Sequence, residues 1–150
     1  MYRILVFFIA FLWSTLCQGQ YRFIENKGQW NDNVQFKAEI PGGSFYLEKG
    51  RFTFDRYDTE TVSRVFAAHS GLEPIPVPEK LKCHAYRMNF VNALPHQLKG
   101  EKAFETLYAY YLGERSGKDA RGFEEVWYEN LYEGIALKVH SKGNLKYDFI

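Results

Sequence analysis

The sequence predicts a mainly β domain, antiparallel and β-sandwich-like, with one short helix. Three observations carry this. Runs of period-two alternation recur along the chain, turns containing glycine separate them, and aromatic side chains are dense. Of 27 Phe, Trp and Tyr residues, 22 lie beyond residue 19. Such side chains favour pleated, half-buried surfaces.

The first 19 residues stand apart from this pattern. Arg3 precedes ILVFFIAFLW (Ile4 to Trp13), an unbroken apolar run of ten residues. A spanning helix needs roughly 20 apolar residues, so this run reads as the core of a secretory signal peptide. Cys17-Gln18-Gly19 puts small side chains where a peptidase cuts after Gly19. The expected organisation is therefore a signal peptide over 1–19 and a β-rich module over 20–150, secreted or at the cell surface. A retained anchor is the rival reading. Lipid attachment at Cys17 stays open, although Leu16 takes the place that usually holds a small residue.

Cleavage removes Arg3 and no acid, leaving 18 basic against 18 acidic side chains. That balance argues against nucleic acid as a partner and against docking on anionic membrane. No stable membrane span is expected after cleavage. Cys83 is the single cysteine left, so the core must hold the domain without an internal disulfide.

Taken in order, FIENKGQW (Phe23 to Trp30) reads as a turn held between aromatics, with Asn26 and Gly28 tolerating positive φ. VQFKAEI (Val34 to Ile40) alternates as a strand. Pro41-Gly42-Gly43 turns the chain into a short strand over Ser44 to Leu47, and Glu48-Lys49-Gly50 turns it again into RFTFDRY (Arg51 to Tyr57). Tight turns between three strands predict an antiparallel meander. The period then changes: Val62, Val65, Phe66 and His69 fall at helical spacing, with Asp58 or Thr59 as cap and Gly71 as stop. Prolines at 74, 76 and 78 fix an extended surface connector.

HAYRMNFV (His84 to Val91) is the next strand, with His84, Tyr86, Met88 and Phe90 on one face. A weak strand is expected around Gln97 to Lys99 and an aromatic one over TLYAYYLG (Thr106 to Gly113). ERSGKDARG (Glu114 to Gly122) reads as a polar loop, and EEVWYENLY (Glu124 to Tyr132) resumes apolar and aromatic content. GIALKVH (Gly134 to His140) and LKYDFI (Leu145 to Ile150) form a terminal hairpin. A last strand running to the final residue leaves an open edge, which proteins normally cover. The chain is therefore expected to be an incomplete piece of a longer domain.

The residues mark no reaction. There is no HExxH, CxxC or GxSxG, and the histidines at 69, 84, 96 and 140 fall on different elements. Cys83 and His84 are neighbours in a strand and point to opposite faces. No metal or cofactor is expected. Asp55 with Asp58 and Glu124 with Glu125 are paired acids whose spacing in the fold sequence does not give. Tyr108, Tyr110, Tyr111, Trp127, Tyr128 and Tyr132 offer either a platform for sugars or peptides, or core filling by alternate members. The second is the commoner use.

Five blocks in order then resemble one family. FIENKGQWNDNVQFKAEIPGG (Phe23 to Gly43), HAYRMNFVNA, YYLG, VWYENLYEGIAL and GNLKYDFI (Gly143 to Ile150) are similar to the N-terminal β-rich domain of large exported proteins of gliding bacteria. Those proteins often carry SBBP repeats, PKD-type domains and a gliding-motility-associated C-terminal module read by type IX secretion. The resemblance marks Asn26, Gly28, Gln29, Trp30, Gly42, Gly43, Tyr147, Asp148 and Phe149 as motif positions of a structural kind. It implies no catalytic residues. Glu133-Gly134-Ile135-Ala136 stands where the family usually has Pro-Gly-Ile-Asp, and the family domain continues past its Tyr-Asp-Phe block. The expected function is an exported, non-enzymatic structural or adhesive module. Its expected partners are surface polysaccharide, other surface proteins or downstream domains of the same chain. The alternative is a carbohydrate-active enzyme or a carbohydrate-binding accessory module.

Overall fold

In Val34–Ile40, Val34, Phe36 and Ala38 are buried, while Gln35, Lys37 and Glu39 turn away from the core. The computed structural model describes residues 20–70, 80 and 82–150. The predicted signal peptide and most of the alternate-proline connector lie outside the described residues. In chain order the elements are β1 (Phe23–Glu25), β2 (Val34–Ile40), β3 (Gly43–Glu48), β4 (Arg51–Tyr57), α1 (Thr59–Ser70), β5 (Cys83–Asn89), β6 (Gln97–Leu112), β7 (Arg115–Tyr132), β8 (Ile135–Lys142) and β9 (Asn144–Phe149). All strand pairs are antiparallel, and the order across the sheet is β5-β4-β3-β2-β1-β7-β8-β9, with β6 also on β7.

β7 organises the sheet. Phe123 pairs with Phe23 of β1 and with Ala103 of β6, while Val126 pairs with Val139 of β8 and Gly100 of β6. One edge of β7 therefore carries β6 along its length, and the other carries β1 and then β8.

The sheet is curled into a half-barrel. Phe52 of β4 lies 5.7 Å from the ring of Tyr128 in β7 and 5.9 Å from that of Tyr147 in β9. In the sheet order β4 and β7 are four steps apart, which in a flat sheet is about 19 Å at the usual strand spacing. Ring contact across that span requires the sheet to bend back on itself. Phe45 stacks on Phe54 at 4.4 Å and meets Phe52 edge-on at 5.0 Å, and Phe90 caps Phe52 at 4.9 Å. Each ring so buried contributes on the order of 2–3 kcal/mol by area removed from water. The buried Tyr128 hydroxyl donates to the Glu48 carbonyl oxygen at 3.1 Å, so no polar cost is left. Burial, with the Glu48 charge adding to it, holds that phenol well above its usual pKa.

The predicted meander is present, and its turns explain the glycine pair. Gly42 has φ +70°, and a Cβ on Gly43 would fall 1.8 Å from the Asp55 carbonyl oxygen. The first glycine makes the turn and the second lets β3 lie against β4.

Three expectations are corrected. Glu114 to Gly122 is not a loop: from Arg115 it is the first half of β7, paired with Leu107 to Leu112 of β6. Its small residues Gly117 and Ala120 are buried while the charged ones face out, so cross-strand pairing overrides weak β propensity. The two separate strands expected before it are one element, β6, with register shifts between Ala103 and Leu107 and between Tyr108 and Tyr110. Finally, Phe23–Glu25 is a short strand ahead of the opening turn, not part of it. Helix α1 begins on Asp58, whose carboxylate accepts from the Thr61 amide at 3.3 Å and from its hydroxyl. Phe66 of its predicted apolar stripe is 72% exposed.

Candidate outer-face aromatic groove

Antiparallel pairing of Ile24 with Lys37 brings β1 beside β2. On the outer face of this pair lies a groove of about 300 Å³ lined by Gln20, Tyr21, Arg22, Ile24, Trp30, Lys37, Glu39, Tyr108 and Tyr110. Three parts of the chain supply its aromatic walls. Trp30 comes from the opening turn, Tyr108 and Tyr110 from the outer half of β6, and Tyr21 from the segment before β1. The Trp30 and Tyr110 rings are 5.4 Å apart and tilted, and those of Tyr108 and Tyr110 are roughly parallel at 6.4 Å.

The turn that presents Trp30 is held by side chains. Asn26 Nδ2 donates to the carbonyls of Val34 at 2.8 Å and Asn31 at 3.0 Å, while its Oδ1 accepts from the amides of Gly28 at 3.0 Å and Trp30 at 3.2 Å. Gln29 is buried; it donates to the Glu25 carbonyl at 2.8 Å and accepts from the Lys27 amide at 2.6 Å. Gly28 has φ +105°, a conformation costly for any residue with a Cβ. Arg115 Nη1 donates to the Trp30 carbonyl at 2.7 Å. The segment expected to be a loop is thus the outer support of the turn.

Two cations enter the groove in different states. Lys37 Nζ is 2.5 Å from Glu39 and lies 5.6 Å from the centre of the Trp30 ring and 5.5 Å from that of Tyr46. Arg22 Nη1 donates to the Tyr108 hydroxyl at 2.6 Å, and its guanidinium sits 4.8 Å over Phe104. Among the described residues, Arg22 has no carboxylate partner within 4.0 Å. Burial, and then the neighbouring Tyr108 and Glu39, raise the Tyr110 phenol above its usual pKa. Burial is also the main cause lifting Tyr46 to about 12. The walls are amphipathic rings, and the formal charges at the groove are those of Arg22, Lys37 and Glu39.

A second aromatic position lies elsewhere on the outer face. Trp127 shares a shallow depression with Glu101, Lys102, Glu125 and Glu129, and Lys138 Nζ is 5.4 Å from its ring centre. Glu125 is clamped by Lys102 at 2.6 Å and Lys138 at 3.1 Å. Burial alone would raise its carboxyl, but the hydrogen bonds from these two lysines outweigh that and hold it below the usual range. A general acid in glycoside cleavage needs the opposite shift. The hydrogen bond to Glu125, and then the charges of Glu125 and Glu124, raise the Lys102 ammonium above its usual pKa. Asp58, of the other acid pair, is the cap of α1. Among the described residues no cluster of His, Cys, Asp and Glu is arranged to hold a metal ion.

Compared with known families, residues 23–150 match the one described as "Domain of unknown function" (DUF7948). The chain belongs to this family. No curated protein matches it, and no solved structure does. In this DUF7948 domain the motif positions fall into three groups. Asn26, Gly28 and Gln29 build the opening turn, and Trp30 projects from it into the groove. Gly42 and Gly43 make the β2–β3 hairpin. Tyr147 and Phe149 share the inner face of β9 opposite Val139 and Leu137, while the Asp148 carboxylate accepts from His140 Nε2 at 2.7 Å on the outer face.

The six candidate platform aromatics separate. Tyr108 and Tyr110 wall the groove, Trp127 stands in the second depression, and Tyr111 is 72% exposed. Tyr128 is fully buried, and Tyr132 packs against the core. Arg22, Lys37 and Tyr21 were not singled out from sequence. The alternation of VQFKAEI does place Lys37 with Glu39 on the solvent face. Nothing local to that strand shows that Trp30 and β6 close over them.

Proposed function

We propose that this domain is an exported, non-enzymatic adhesive module that holds surface polysaccharide in the groove between Trp30, Tyr108 and Tyr110. The observation that carries the reading is the convergence of three aromatic rings with hydrogen-bonding side chains in one open groove. Aromatic faces stack on the apolar faces of sugar rings, and flanking polar groups meet the hydroxyls. The apolar run of Ile4 to Trp13 and the resemblance to gliding-bacterial surface proteins support the exported setting. The rival reading, a carbohydrate-active enzyme, draws no support from Glu125, whose carboxylate is ion-paired and held ionised.

Retention of the secreted chain on an array of bacterial and plant polysaccharides tests this. Retention is expected for the wild type and should fall at least tenfold when Trp30 and Tyr110 are both changed to Ala, since stacked aromatics dominate such contacts. Retention unaltered by the double change, with the far-UV spectrum unaltered, overturns the assignment of the groove.

A further inference from the structure

The reading of the groove as a polysaccharide site leaves open which polysaccharide, and its charge arrangement narrows the choice. Lys37 is already neutralised by Glu39 at 2.5 Å. Arg22 is not: among the described residues it has no carboxylate partner. Its guanidinium is nonetheless fixed, by one N–H to the Tyr108 hydroxyl at 2.6 Å and by the Phe104 ring beneath it at 4.8 Å. A guanidinium has five N–H donors, so most of its fork remains free at the groove wall. The fork is preorganised, which lowers the entropy lost when a planar anion is bound.

Resting on the polysaccharide reading, we propose that the ligand is an acidic one, a chain of uronic acid units. One sugar ring lies on Trp30 and Tyr110, and its carboxylate is taken by Arg22. Carboxylate geometry matches the arginine fork bidentately. Glu39, 71% exposed at its side chain, stays tied to Lys37 and so adds little repulsion. A neutral glycan would stack on the same rings and leave the arginine fork unused.

Isothermal titration of the secreted chain against polygalacturonate, alginate and hyaluronate, and against the same polymers with carboxylates reduced to alcohols, decides the matter. The wild type is expected to bind at least one acidic polymer about tenfold more tightly than its reduced form, as a charge-assisted pair implies. The preference should shrink on going from 50 to 500 mM NaCl. Arg22→Gln should erase the preference by bringing the affinity for the acidic polymer down to that for its reduced form, and Arg22→Lys should restore part of it. Trp30→Ala should weaken both forms. Equal binding of acidic and reduced polymers, still lost in Trp30→Ala, overturns the acidic ligand and leaves the groove reading intact. Binding of none of these polymers, or binding indifferent to Trp30→Ala, overturns both.

Discussion

Asn26 does the work of a turn with one side chain. Its amide nitrogen bridges the carbonyls of Asn31 and Val34, and its oxygen gathers the amides of Gly28 and Trp30. Removing it strands several backbone groups in a part-buried turn. Asn26→Ala is therefore expected to cost about 2–3 kcal/mol, read as a lower urea midpoint. Asn26→Asp keeps the acceptor but sets a carboxylate against the Val34 carbonyl, and should cost as much or more. An unchanged midpoint in both variants would refute the bridging role. Glu125 gives the pH dependence. Its folded carboxyl lies below the ordinary value of 4.5 because Lys102 and Lys138 outweigh burial. A depressed acid contributes stability above its unfolded pKa and loses that contribution as pH falls through the folded one. The wild-type urea midpoint should thus fall between pH 5 and pH 3. Glu125→Gln should start lower at pH 7 and decline less steeply, since it no longer takes up that proton.

The β6–β7 arm, Leu107 to Ala120, is where sequence and structure part. Strands β2 to β4 were legible because β2 alternates and glycine turns at Gly42-Gly43 and Gly50 separate the three, so local chemistry and tertiary fold agree. The helix was legible from its cap and period. Glu114 to Gly122 has turn-like composition and forms a strand only because β6 lies beside it, a non-local cause that no window of sequence contains. The candidate site was half legible for the same reason. Tyr108 and Tyr110 stood out as aromatics, but Arg22, Trp30 and Lys37 join them only through the pairing of β1 with β2 and with β7. The arm also supports the opening turn. A Cβ at Gly117 would fall 2.2 Å from Gln29 Oε1, and that oxygen accepts from the Lys27 amide. Gly117→Val should therefore release the turn without unfolding the meander. Hydrogen exchange checks this: the amides of Lys27 to Trp30 are expected to exchange about tenfold faster or more, and those paired between β3 and β4 to keep their protection. Uniform loss across both regions would mean that the arm is not a local support.

The curl that brings Phe52 to Tyr128 and Tyr147 makes a half-barrel whose other side is open among the described residues. Strands β5 and β9 end the sheet order, and both turn apolar side chains to the inner face. Met88 and Tyr86 pair with Phe52 and Phe54, and Tyr147 and Phe149 pair with Val139 and Leu137. Unlike those partners, they are not covered: Tyr86 is 46% exposed, Met88 41%, Tyr147 44% and Phe149 56%. A folded domain that presents a run of apolar side chains along two open strands should bind a hydrophobic dye in its native state. Most folded proteins bind such a dye only after their packing is lost. The native chain is therefore expected to enhance anilinonaphthalene sulfonate fluorescence at neutral pH while its near-UV spectrum is that of a packed core. Tyr86→Ser combined with Phe149→Ser should cut the enhancement by more than half. Phe149 lies at the rim, Tyr147 is left in place because it touches Phe52, and since Tyr86 stacks on the core ring of Phe54 at 4.8 Å the variant's near-UV spectrum must match the wild type's for the result to count. If the enhancement survives the double change, the dye is reporting loosened packing elsewhere. If the native wild type shows none, the inner face is not open in solution, and the half-barrel must close beyond the curvature that the Phe52 contacts define.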